Sequence, residues 1–170
     1  MAVAQILDGV SRLAQYQHPV KMFVPLTIWI INLFVFIFLI WWASWEFRQI
    51  EWTFPKYAYM LIAPTLLFLA SSLLIPHQLE SGGVDLEQHF LRVRRLFFAV
   101  YFFGALAVIV DGNVLADEGI WHSGRIAHIV IIGAAITGYL SENRRVHLAA
   151  SVMTLLAISG VALTRFLFPR

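Results

Sequence analysis

The chain has 170 residues, of which 60% are hydrophobic and 13% charged, and its mean hydropathy is +0.77. A soluble globular domain carries charge at about a quarter of its positions, so this composition points to a single membrane-embedded domain over 1–170. The net charge of +2 is small and its basic residues are dispersed beside apolar runs, which argues against a nucleic-acid partner; the lack of cysteine excludes disulfides, thiolate metal sites, iron–sulfur clusters and a cysteine nucleophile.

The segment 1–18 places Val3, Ile6, Leu7, Val10 and Leu13 at helical spacing, with Asp8, Ser11, Arg12 and Gln15 between them. This predicts an amphipathic helix lying at a membrane interface. The alternatives are the inner end of a longer helix or a helix packed on a neighbouring subunit. It lacks the basic start and unbroken apolar core of a signal peptide.

Residues 22–45 contain no formal charge beyond the preceding Lys21, and Asn32 is their one strongly polar side chain. At about 1.5 Å per residue this run covers a hydrocarbon core of about 30 Å, which predicts a first transmembrane helix. Trp41, Trp42, Trp45 and Trp52, with Tyr57 and Tyr59, mark one interface. The second span, about 56–75, opens after Pro55 and contains Pro64, which frees a carbonyl and bends a helix. Gly82 and Gly83 form a flexible turn, after which Asp85 caps a helix that runs through Arg92, Arg94 and Arg95 into the third span. The apolar run 96–110 is too short to cross alone at about 1.5 Å per residue, so the span extends over about 95–115.

The fourth span, about 121–140, carries Gly124, Ala127, Ala134 and Gly138 on one narrow arc, and the fifth, about 148–168, carries Ala150, Thr154, Ala157 and Gly160. These arcs predict a close hairpin across a turn at 141–147. The fold class is therefore an all-α integral membrane bundle of five transmembrane helices plus an amino-terminal amphipathic helix. Seven basic residues (Arg12, Lys21, Arg92, Arg94, Arg95, Arg144, Arg145) fall on one side and five (Arg48, Lys56, Arg125, Arg165, Arg170) on the other. The positive-inside rule then places the amino terminus in the cytoplasm and the carboxyl terminus outside.

Ionisable groups within a span are the default functional candidates because hydrocarbon penalises them. Asp111 and Arg125 are predicted at similar depth on consecutive helices, with Asn113, His122 and His128 nearby. An ion pair that fixes the hairpin is the leading reading, and part of a solute or proton site is the alternative. Arg92, Arg94, Arg95, Arg144 and Arg145, with His89 and His147, form a basic surface suited to lipid phosphates. No two of the six histidines have i, i+4 spacing, and there is no strand pattern, phosphate loop or nucleophile elbow, so no cofactor, metal or catalytic residue is expected.

The succession Trp41-Trp42, Trp52-Thr53-Phe54, Pro64 and Arg94-Arg95-Leu96-Phe97-Phe98 resembles a group of uncharacterised multi-pass bacterial inner-membrane proteins over about the middle half of the chain. The resemblance implies an inner-membrane location and brings no catalytic residues with it. Members of that group begin with a further apolar stretch before the segment matching Val3 to Leu13. The expected role is a non-enzymatic scaffold or complex subunit whose partners are lipids and a second copy or another membrane protein. A small channel or transporter for an ion or polar solute is the runner-up.

Overall fold

The computed structural model of the chain describes residues 2–76, 82–115 and 125–167, with every side chain except those at 46, 111–115, 125 and 165–167. Within these residues, α1 spans Ala2–Gln15 and α2 spans Val24–Ser44, which continues into a 3-10 turn at Trp45–Gln49. Helix α3 spans Phe54–Met60, α4 Ile62–Leu74, α5 Leu86–Leu115, α6 Arg125–Leu140 and α7 Arg144–Leu167. The stretches Val24–Gln49, Phe54–Leu74, Leu86–Val110 and Arg144–Thr164 are long and apolar enough to cross a membrane. The helix expected at 121–140 is represented by Ile126–Leu140, which is apolar but shorter, and 116–124 lie outside the described residues.

Local chemistry accounts for where the helices stop. Pro25 occupies the first turn of α2, where its missing N–H costs nothing. Pro64 has no N–H for the carbonyl of Met60, and its ring crowds that carbonyl, so the apolar stretch Phe54–Leu74 is interrupted at Leu61, between α3 and α4, where a bend is expected. Thr65 Oγ1 donates to the Leu61 carbonyl at 2.7 Å on the far side of the break. The last turn is shorter than the sequence suggests. Ser141 Oγ accepts from the Asn143 N–H at 3.1 Å and Asn143 Oδ1 accepts from the Arg145 N–H at 2.9 Å, so α7 begins at Arg144 and absorbs His147.

Just ahead of α2 and of α5 the chain is extended. Val20–Lys21 (β1) pairs in parallel with Val84–Asp85 (β2), and the Val84 N–H donates to the Pro19 carbonyl at 3.0 Å. Gly83 makes this approach feasible: its φ is +111°, and a Cβ there would lie 2.9 Å from the Pro19 oxygen. Gly83 is thus a requirement of the pairing and not merely a flexible link. Asp85 Oδ1 accepts from the N–H groups of Glu87 and Gln88, both at 3.0 Å, which caps α5 as expected. Its other oxygen takes Lys21 Nζ at 2.8 Å, with Glu87 at 3.7 Å.

Helix α5 lies at the centre of the packing, against α4 on one side and α6 on the other, while α2 packs on α7 and α6 on α7. Trp29 of α2 is fully buried and edge-on to Phe97, Phe98 and Tyr101 of α5, with ring centroids 5.6, 5.2 and 5.3 Å away. Such pairs each contribute about 0.5–1.5 kcal/mol beyond their area. Helix α1 turns Ala2, Ile6 and Gly9 inward, and Gly9 sits against Ile75 so closely that a Cβ would come within 2.7 Å of it. The small-residue arcs divide their roles. Ala127, Ala134 and Ala150 are buried as expected, but Gly138 accommodates the Phe98 ring of α5, and Gly160 faces open space.

The Lys21–Asp85 pair has a defined pH window. The hydrogen bond from Lys21, followed by the Gln88 N–H, holds the Asp85 carboxyl below its ordinary 3.8, and the same bond raises Lys21 above its ordinary 10.5. Its contribution is therefore full between 3.8 and 10.5. It is lost as pH falls through the depressed Asp85 value or rises through the raised Lys21 value. Asp85→Asn retains an oxygen for the cap and replaces the oxygen that accepts from Lys21 by an NH2, removing the charge and that hydrogen bond. Melting curves in detergent should show wild type exceeding this variant near neutrality and converging with it in strong acid; a gap independent of pH would mean that the ion pair contributes nothing.

Candidate functional site

The intramembrane patch expected from sequence lies largely outside the described side chains. Asp111 and Asn113 belong to the last turns of α5 and Arg125 opens α6, but their side chains, like all of His122, fall outside the description. His128 is half-buried on α6. The described side chains concentrate polar chemistry elsewhere, at the basic end of the bundle and along its axis.

At the basic end, Arg92, Arg95, Arg144 and Arg145 are exposed, and Arg144 lies over the Phe23 ring at 5.7 Å. Arg94 departs from the expected lipid-facing role. It belongs to the face Phe90, Phe97, Phe98, Tyr101, which α5 turns inward, so the helix phase carries its guanidinium into the bundle, where the residue is 6% exposed. There Nη2 donates to Glu142 Oε1 at 2.5 Å, Nε to the Ser141 carbonyl at 3.2 Å and Nη1 to the Leu91 carbonyl at 3.0 Å. The forked guanidinium thereby ties the start of α5 to the α6–α7 turn.

His147 is a second correction to that surface. It is fully buried, with its ring stacked on Phe98 at 5.7 Å and edge-on to Phe90 at 5.0 Å. Neither of its ring nitrogens has a hydrogen-bond partner among the described residues. His89 is half-buried, with Nε2 3.0 Å from the Leu73 carbonyl.

Ser151 and Thr154 follow His147 at one and two turns along the same face of α7, and both are fully buried. Opposite them, Asn32 Nδ2 of α2 donates to the Ser151 carbonyl at 2.9 Å. Trp29 Nε1, Asn32 Oδ1, Tyr101 Oη and Thr154 Oγ1 are buried with no hydrogen-bond partner among the described residues. A buried donor or acceptor left without a partner costs on the order of 1–3 kcal/mol. The signal was present in the sequence: His147, Ser151 and Thr154 repeat at i, i+4, i+7, a polar stripe in an apolar helix. Placing His147 in the turn concealed it.

Among the described residues no group of three or more histidine or acidic side chains could hold a metal ion. This buried polar seam brings together hydroxyl, amide, indole and imidazole groups, all of them able to take part in hydrogen bonds. Comparison with protein-family models, with curated proteins and with solved structures finds no match for this chain.

Arg94 permits a direct test of this geometry, because lysine keeps its charge but cannot reach three acceptors at once. Arg94→Lys should lower the thermal midpoint in detergent nearly as far as Arg94→Met. Glu142 is 71% exposed, so the penalty for breaking a buried pair is reduced by solvent, and Glu142→Gln should cost only about 1–2 kcal/mol. Wild-type stability in Arg94→Lys would show that charge alone suffices and that the carbonyl contacts are incidental.

Proposed function

We propose that this chain is an integral membrane protein of five spans, in a bacterial inner membrane with its amino terminus cytoplasmic, acting as a non-enzymatic scaffold or complex subunit. One observation carries the reading. The helices are apolar on their outer as well as their inner faces: Phe38, Phe103, Ile129, Met153 and Leu156 are each more than half exposed, on helices whose opposite faces are already packed. Helices apolar all round belong in a membrane or deep inside a larger protein, and the exposed tryptophans Trp41, Trp42, Trp45 and Trp52 suit a head-group belt. The same outer faces are available to a second copy or to another membrane protein. Aromatic side chains fill the space between α2 and α5, which supports a scaffold over a conduit.

A transporter of a small polar solute is the second reading, favoured by the buried seam of Asn32, Tyr101, His147 and Thr154.

Topology is tested in the cysteine-free chain with single cysteines at Thr53 and Gly82, both exposed and outside the long helices. An impermeant thiol reagent added to intact cells should label Thr53→Cys and leave Gly82→Cys unlabelled until the membrane is permeabilised. The reverse pattern would invert the orientation, and labelling of both in intact cells would remove the crossing between them.

A further inference from the structure

Helices α5 and α6 leave between them a groove of about 340 Å³ on the outside of the bundle, walled by Phe98, Ala99, Phe102 and Phe103 and by Ile136 and Tyr139. Its shape depends on Gly138, which lets the Phe98 ring lie directly against α6; a Cβ at that position would overlap the ring. On α5, Arg92, Arg95, Ala99 and Phe102 follow at i, i+3, i+7 and i+10, so one face runs from two arginines into the apolar groove. Both arginines are exposed and form no ion pair with the described residues, whereas Arg94 between them is committed inward to Glu142. Arg95 stands about one helical turn, or about 5.4 Å, above the groove.

We infer that this face is a binding site for an anionic phospholipid, one acyl chain lying in the α5–α6 groove and the phosphate held by Arg95 and Arg92. The inference rests on the membrane reading above and gives it a specific partner. Charge complementarity selects the occupant. A hydrocarbon tail fills the aromatic walls, and only an anionic head satisfies the two cations at the mouth. A free phosphate would leave the groove unused, and an apolar partner helix would leave the arginines without a counter-charge.

The test uses the full chain in detergent, with native mass spectrometry to count bound phosphatidylglycerol against phosphatidylcholine of the same chain length. Wild type should retain phosphatidylglycerol in preference. Arg92→Gln with Arg95→Gln should weaken it about twenty-five-fold, each arginine contributing about fivefold. Arg48→Gln, at the tryptophan end, should leave it unchanged. Ala99→Trp, which fills the groove, should also release the lipid, and glycerol phosphate should not compete. Equal retention of the two lipids overturns the inference, competition by glycerol phosphate reassigns the arginines to a free anion, and a dimer abolished by Ala99→Trp reassigns the groove to a second copy. Alkaline carbonate extraction keeps the two levels separate: release of the chain from membranes defeats the membrane reading, whereas a retained chain without lipid preference defeats only the site.

Discussion

Apolar side chains on both faces of the long helices impose the constraint from which the rest of the architecture follows. In water, a helix buries one stripe and hydrates the other. Here Leu33 and Ile37 of α2 are buried while Ile31 and Phe38 are exposed, and Ile158 of α7 is buried while Leu156 is exposed. On the proposed membrane reading, burial of apolar surface no longer distinguishes inside from outside, and the bundle then depends on shape and on polar contacts turned inward.

Both devices are visible in the packing. Trp29 inserts edge-on among three rings of α5, supplying a shaped contact where simple apolarity would give none. Asn32, one turn further along the same face of α2, reaches the Ser151 carbonyl and links the first long helix to the last. On the membrane reading such an interhelical hydrogen bond contributes about 0.6 kcal/mol on average. At one end Arg94 binds the α6–α7 turn, and just beyond it the Gly83-dependent strand pair joins the entry of α2 to that of α5. Among the described residues, Asn32, Ser151 and Thr154 between α2 and α7 and Arg94 at one end are buried polar groups.

Much of the local structure was legible in the sequence. The uncharged run after Lys21, the Asp85 cap and the break imposed by Pro64 are short-range effects, decided by residues within a turn of one another. The pairing of α2 with α7 was not legible, because contact between residues 119 positions apart depends on how all the helices share space. Arg94 was misplaced by treating three arginines as a block, although helix phase separates it from Arg92 and Arg95. His147 was misplaced because Asn143 caps the helix earlier than a turn at 141–147 allows. The site anticipated around Asp111 and Arg125 depends on side chains outside the described residues, whereas the buried seam was missed because its members are mostly uncharged.

The central claim, that the outer apolar faces meet lipid, is tested most directly by spin-label accessibility in bilayers. Single labels would be placed at Ile129, Met153 and Leu156, and at the buried Leu33 and Ile158 as references. The account predicts high collision with dissolved oxygen and low collision with a water-soluble nickel chelate at the three outer positions, and low values for both reagents at the two inner ones. Strong nickel collision at Ile129, Met153 and Leu156 would place those faces in water and contradict it.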